Sequence, residues 1–218
     1  MFPIRWLRTP KTSRPAGRPR FRPTVESLED RWVPSTLTVT NDLDSGAGSL
    51  RAALNAIHSG DTINFAPSLV GHTITLTSGE LFVKRDVTIT GPGADKLTIS
   101  GNHASRVFEL NSATKPNVTL SGLTISDGVG VVAAGKSHDH DRSGGAILNE
   151  GTLTITNSIL SGNSAPQGGA IHNDGTLTVI SSTLTGNSAN DGYGGAIQSF
   201  VTLTVSNSTL SQIGRAHV

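Results

Sequence analysis

"GGAILNEGTLTITNSILSGNSA" spans residues 144 to 165, "GGAIHNDGTLTVISSTLTGNSA" follows at 168 to 189, and "GGAI" returns at 194 with "TLTV" at 202. Aligning the copies separates fixed columns from free ones. Ile147, Ile171 and Ile197 share one apolar column, and Leu153, Leu177 and Leu203 a second. Ile155, Val179 and Val205 form a third, and Leu160, Leu184 and Leu210 a fourth. Threonines alternate with the apolar residues inside "TLTIT", the spacing of a strand with one buried face. Leu148, His172 and Gln198 share a column but differ, so that column is expected to face solvent. Gly162-Asn163 and Gly186-Asn187 mark turns, because both residue types tolerate left-handed backbone angles.

The copies are 24 and then 26 residues apart, with the two extra residues expected in a turn around Asn190 to Tyr193. Three short strands and their turns per period fit one coil of a parallel β-helix, with coils about 4.8 Å apart. Like side chains then stack on like, and no coil is stable alone. Leucine-rich repeats need L-x-x-L-x-L-x-x-N, where this chain reads L-x-I-x-N-x-x-L, and propeller blades need roughly 40 residues. The predicted fold is therefore all-β, a right-handed parallel β-helix with a short capping helix and a disordered basic head.

Outward from the repeats the pattern loosens. Segments 80–102 and 106–128 read as two further coils, with Leu97-Thr98-Ile99 recurring as Leu123-Thr124-Ile125. Residues 128–144 read as an insertion looping off the stack. Residues 35–72 read as an N-terminal cap: Leu37 and Val39 alternate with Thr, and Ser49 precedes a helical stripe of Leu50, Ala53, Leu54 and Ile57 that Gly60 stops. Such a helix can seal the first coil. The coils are expected over 73–211. The last residues, Gln212 to Val218, break the pattern, and their back-translation resembles a sequencing adapter. They are expected to be an assembly artefact, which would make the chain a fragment of a longer protein.

Composition narrows the function. Aromatic residues are 4%, charged residues 15%, and cysteine is absent, which excludes disulfides and cysteine-ligated metals. Residues 1–34 form a basic, proline-rich head, with seven Lys or Arg and no acid in the first 22 positions. Positions 23 to 211 hold 16 acidic against 9 basic residues, a balance that argues against a nucleic-acid partner. No apolar run reaches the roughly 18 residues of a membrane helix.

Chemistry-bearing residues are sparse, and H-E-x-x-H, P-loop and G-x-S-x-G motifs are absent. His138, Asp139, His140 and Asp141 combine imidazole and carboxylate, yet four consecutive loop residues read better as a solvated loop than as a metal site. Glu150 and Asp174 share a column in adjacent coils and could hold Ca2+ between them, with Ser199 ending the row. His172 reads as an exposed variable position. Lys84 and Arg106 read as scattered bases on exposed faces of Thr and Ser. No catalytic residue and no cofactor are expected.

Three resemblances add to this. Val25, Glu26, Leu28, Glu29, Asp30, Arg31 and Pro34 resemble the "LEDR" N-terminal region of planctomycete extracellular proteins, which implies an exported protein with a sorting head. "TVTN…DSGAGSLRAALNAI…GDTINF" resembles the entry segment of bacterial surface proteins with right-handed parallel β-helices, including choice-of-anchor types. "GGAI…N.G.LTI.NS…GN.A" resembles the repeats of polymorphic outer-membrane proteins and autotransporter-type adhesins, although the usual "FxxN" element is not clear here. Together they imply a non-enzymatic stalk outside the cell or on its outer membrane, binding a polysaccharide or protein of a cell surface or matrix. The alternative is part of a β-helical polysaccharide lyase or glycoside hydrolase whose active coils lie elsewhere.

Overall fold

Strand pairing in the computed structural model is parallel throughout, and it follows the repeat column by column. The structure describes residues 33–110, 113–130, 143–211 and 214–215. One sheet of seven strands, a second of six and a third of five wind together as a β-solenoid. Leu153 pairs with Leu177 and Leu177 with Leu203, in line with Ile147, Ile171, Ile197 and Leu160, Leu184, Leu210. The inward columns continue to the first coils: Ile74, Ile99 and Ile125 lead into Leu160, and Leu81 and Phe108 into Ile147. These side chains form one apolar core. Each fully buried Leu or Ile contributes about 1.5–3 kcal/mol by removal from water.

Two details differ from the three-strand coil. A fourth, three-stranded sheet runs through Ser164–Gln167, Ser188–Tyr193 and Gly214–Arg215. The extra residues near Asn190 therefore lie in a strand, where the register slips and Tyr193 pairs with Gln167. A bulge absorbs insertions in a ladder without disturbing the strands on either side.

The doubled glycine of "GGAI" has two separate causes. Gly144, Gly168 and Gly194 sit at φ of 68°, 60° and 61°, left-handed values that a side chain disfavours. Gly145 and Gly169 have ordinary φ, but a Cβ on Gly169 would strike the carbonyl oxygens of Gly195 and Ser188. Both obstacles are backbone held in the ladder. Gly169→Ala is therefore expected to destabilise by about 1–3 kcal/mol. A thermal melt checks this; a midpoint within a degree of the wild type would mean the corner has room to spare.

The solenoid's first rung is covered as the sequence leads one to expect. Helix α1 (Leu50–Ala56) is capped by Ser49, whose Oγ accepts from the Ala52 N–H, and Leu50, Ala53 and Leu54 are buried. The helix ends at Ile57, which is already extended, rather than at Gly60. Arg51 ties it down, giving hydrogen bonds to the Gly79 and Glu80 carbonyls (2.6 and 2.7 Å) and an ion pair to Asp44 (2.6 Å). Asp44 also accepts from Ser78 and Thr77. Burial pushes the Asp44 carboxyl up, but the hydrogen bonds from Ser78 and Arg51 and the Arg51 charge outweigh it and hold the group below its ordinary value. Asp61 is held low by the His58 and Ser35 N–H groups.

Both carboxyls are depressed, so their stabilisation is complete above the unfolded value of about 3.9 and drains away as pH falls through the lower folded values. The first coil should loosen before the centre when pH drops below about 4. Hydrogen exchange along the chain reads this out: early loss of protection at residues 36–65, blunted in Asp61→Asn, is expected. Uniform loss along the solenoid would contradict it.

Facing outward, the seven-stranded sheet carries Thr36, Thr62, Thr88, Thr119, Thr154, Thr178 and Thr204 in one unbroken column. The six-stranded sheet carries Thr73, Thr98, Thr124, Ile159, Thr183 and Thr209 in the matching place.

Candidate functional site

Two buried titratable side chains, Glu109 and His172, lie on the five-stranded sheet. Its outward column reads Phe82, Glu109, Leu148, His172 and Gln198. This corrects the expectation of solvent exposure for Leu148 and His172, while Gln198 is half-buried. They do point away from the core, yet Leu148 is 3% and His172 only 1% exposed. His172 is met by groups of the protein rather than by water. His172 places Nδ1 3.1 Å from Gln198 Oε1 and Nε2 3.2 Å from Asp174 Oδ2, and its ring lies 5.5 Å from that of Phe200.

Arg106 is the second departure. It is 2% exposed, not a scattered surface base. Its Nη1 lies 3.0 Å from Glu80 Oε2 and 3.2 Å from Glu109 Oε2, and Nε donates to the Gly144 carbonyl at 3.0 Å. A buried guanidinium is tolerable only when its charge and donors are met, and here two carboxylates face Nη1 and a carbonyl accepts from Nε. The clue in the sequence is separation: Glu80 and Arg106 stand 26 residues apart, one coil, as do His172 and Gln198. Opposite charges one period apart are stacked neighbours in a solenoid.

Glu150 and Asp174 occupy successive rungs and are each partly buried. The strand register sets Phe200, not Ser199, in the third place, since Ser199 pairs with Asn173. An aromatic ring thus ends the acidic row, and Asp174 is turned toward His172. Among the described residues no three His, Asp or Glu side chains gather as a metal site would require. His138, Asp139, His140 and Asp141 lie outside the described residues. His72 and His58, isolated in sequence, meet Asp42 at 2.9 Å and Asp61 at 3.8 Å.

Polar ladders inside the solenoid escape a reading based on apolar columns. Asn149 and Asn173 are fully buried, with Nδ2 of Asn149 donating to Oδ1 of Asn173 at 2.6 Å. Asn163 and Asn187, expected only to shape a turn, are also fully buried. Nδ2 of Asn163 donates to Asn187 Oδ1 (3.0 Å) and to the Ile125 carbonyl (3.2 Å), and its Oδ1 accepts from the Gly128 N–H (2.9 Å). Ser182 and Ser208 accept in turn from the N–H of Ser158 and Ser182. A polar residue repeating coil after coil is the available signal, since nothing on an exposed turn demands identity.

The fold and this set of groups define a class: a parallel β-solenoid stiffened by internal Asn and Ser ladders. Residues 157–174, spanning one turn and the next "GGAIHND" segment, match the Chlamydia polymorphic membrane protein repeat. That stretch is similar to the repeat of a β-helical surface-protein family. No curated protein and no solved structure matches the chain.

Proposed function

We propose that this chain is part of an exported β-helical surface protein of the outer membrane or cell exterior. It serves as a stalk that engages a cell, matrix or glycan partner without catalysis, and the LEDR-like head acts in sorting. The observation that carries this reading is the repeat at 157–174, set in a solenoid whose two largest sheets present hydroxyl columns instead of grouped acids. Hydroxyl faces suit many weak hydrogen bonds spread over length, whereas acid–base catalysis needs titratable groups converging on one point. In the Arg106 and His172 clusters the groups bond to one another.

Surface labelling of cells expressing the gene, followed by binding of the purified chain to a glycan array and to extracellular matrix, tests the proposal. Retention inside the cell would overturn it. The competing reading is a polysaccharide-degrading enzyme, and what favours it is the gathering of Glu80, Arg106, Glu109, His172 and Asp174 on one side of the solenoid. Reproducible release of reducing or unsaturated ends from acidic polysaccharides would decide for the enzyme.

A further inference from the structure

We propose that the outward face of the seven-stranded sheet is an ice-binding surface. Its threonine column is unbroken on every strand, and among the described residues none of those hydroxyls hydrogen-bonds another protein group. The five between the outermost strands are half-buried. They must bond to whatever lies outside the protein.

The spacing selects the ligand. Rungs of a parallel sheet repeat about every 4.8 Å. Water molecules hydrogen-bonded tetrahedrally at about 2.75 Å place their next-nearest oxygens about 4.5 Å apart. The two repeats agree to roughly 0.3 Å per rung, so a rank of water held between successive hydroxyls already approaches the crystalline arrangement. Liquid water offers no such extended rank.

Side-chain chemistry points the same way. Threonine is branched at Cβ and has few rotamers, so little freedom is lost on binding. The next outward column, Thr38, Asn64, Thr90, Ser121, Thr156, Ile180 and Ser206, carries no charge whose own hydration shell would oppose ordered water. Strand propensity alone would admit Val, Ile or Tyr at these places. The inward columns exchange Leu, Ile and Val freely, yet this outward one does not vary. The six-stranded sheet has Ile159 in its equivalent column, and the five-stranded sheet mixes Phe, Glu, Leu, His and Gln.

This inference goes beyond the surface-stalk reading and does not depend on it. The test uses the purified 218-residue chain, fluorescently labelled, during slow growth of a single ice crystal, with ice recrystallisation measured in parallel. Folded wild type should enter the ice and arrest recrystallisation. Thr119→Arg and Thr154→Arg should weaken arrest by about tenfold or more, while Thr183→Arg on the six-stranded sheet stays within about twofold. Circular dichroism confirms folding of each variant. Exclusion of folded wild type from ice overturns the proposal without reference to any variant, and so does an equal loss in Thr183→Arg. Neither result bears on surface labelling or matrix binding, so the two readings fail separately.

Discussion

Leu153→Ala is expected to lower stability by about 2–5 kcal/mol, the range for emptying a fully enclosed leucine site. Leu153 is fully buried, with Val118 on one side of it in the ladder and Leu177 on the other. The alanine leaves a void that neither rung can fill, because both are fixed by strand hydrogen bonds. At about 2–4 °C per kcal/mol for a chain of this size, the melting midpoint falls by roughly 5–15 °C. Leu203→Ala in the same column is the informative comparison. Leu203 is 41% exposed, on the last strand of its sheet, and its truncation should cost less than about 1 kcal/mol. Matched melts of the two variants check the pair, and equal losses would mean the columns do not stack as described.

Asn163→Ala should cost about 2–4 kcal/mol, although no apolar contact of note is removed. The amide satisfies the Gly128 N–H and the Ile125 carbonyl in coils on one side and meets Asn187 on the other. Alanine leaves those groups buried without partners, at about 1–3 kcal/mol each before relaxation. Asn163→Asp tests the same point differently. A carboxylate can still accept from Gly128 but cannot donate to Ile125, and it faces the oxygen of Asn187, so it too should destabilise. Asn190→Ala, at an exposed position, should stay within about 0.5 kcal/mol of wild type. Chemical denaturation of the three variants would measure the ordering, and a harmless Asn163→Ala would remove the ladder from the account of stability.

The inward columns were legible in the sequence because two signals coincide there: alternation along the strand and recurrence from coil to coil. Ile147, Leu153, Ile155 and Leu160 each satisfy both. Leu148 and His172 misled because variation was equated with exposure. A side chain pointing away from the core can still be enclosed by neighbours that differ in every coil, as Phe200 and Asp174 enclose His172. Asn163 misled for the opposite reason, since Gly-Asn is a common turn pair and its local conformation accounts for Gly162 at φ 64° without explaining why Asn repeats. The clusters around Arg106 and His172 were hidden by separation in sequence, and they become visible only when positions one coil apart are compared. Residues 1–32 and the His138–Asp141 stretch fall outside the described residues.

Gly144 and Gly168, Leu153 and Leu177, and the bonded pair Asn163 and Asn187 all stand 24 residues apart. These two windings therefore carry matching sets of joints, fillers and fasteners. Duplication or loss of one whole unit in the gene would leave every remaining fitting matched, whereas removal of a partial unit would jam all of them at once. Length in such a molecule changes by whole steps of about 4.8 Å per coil.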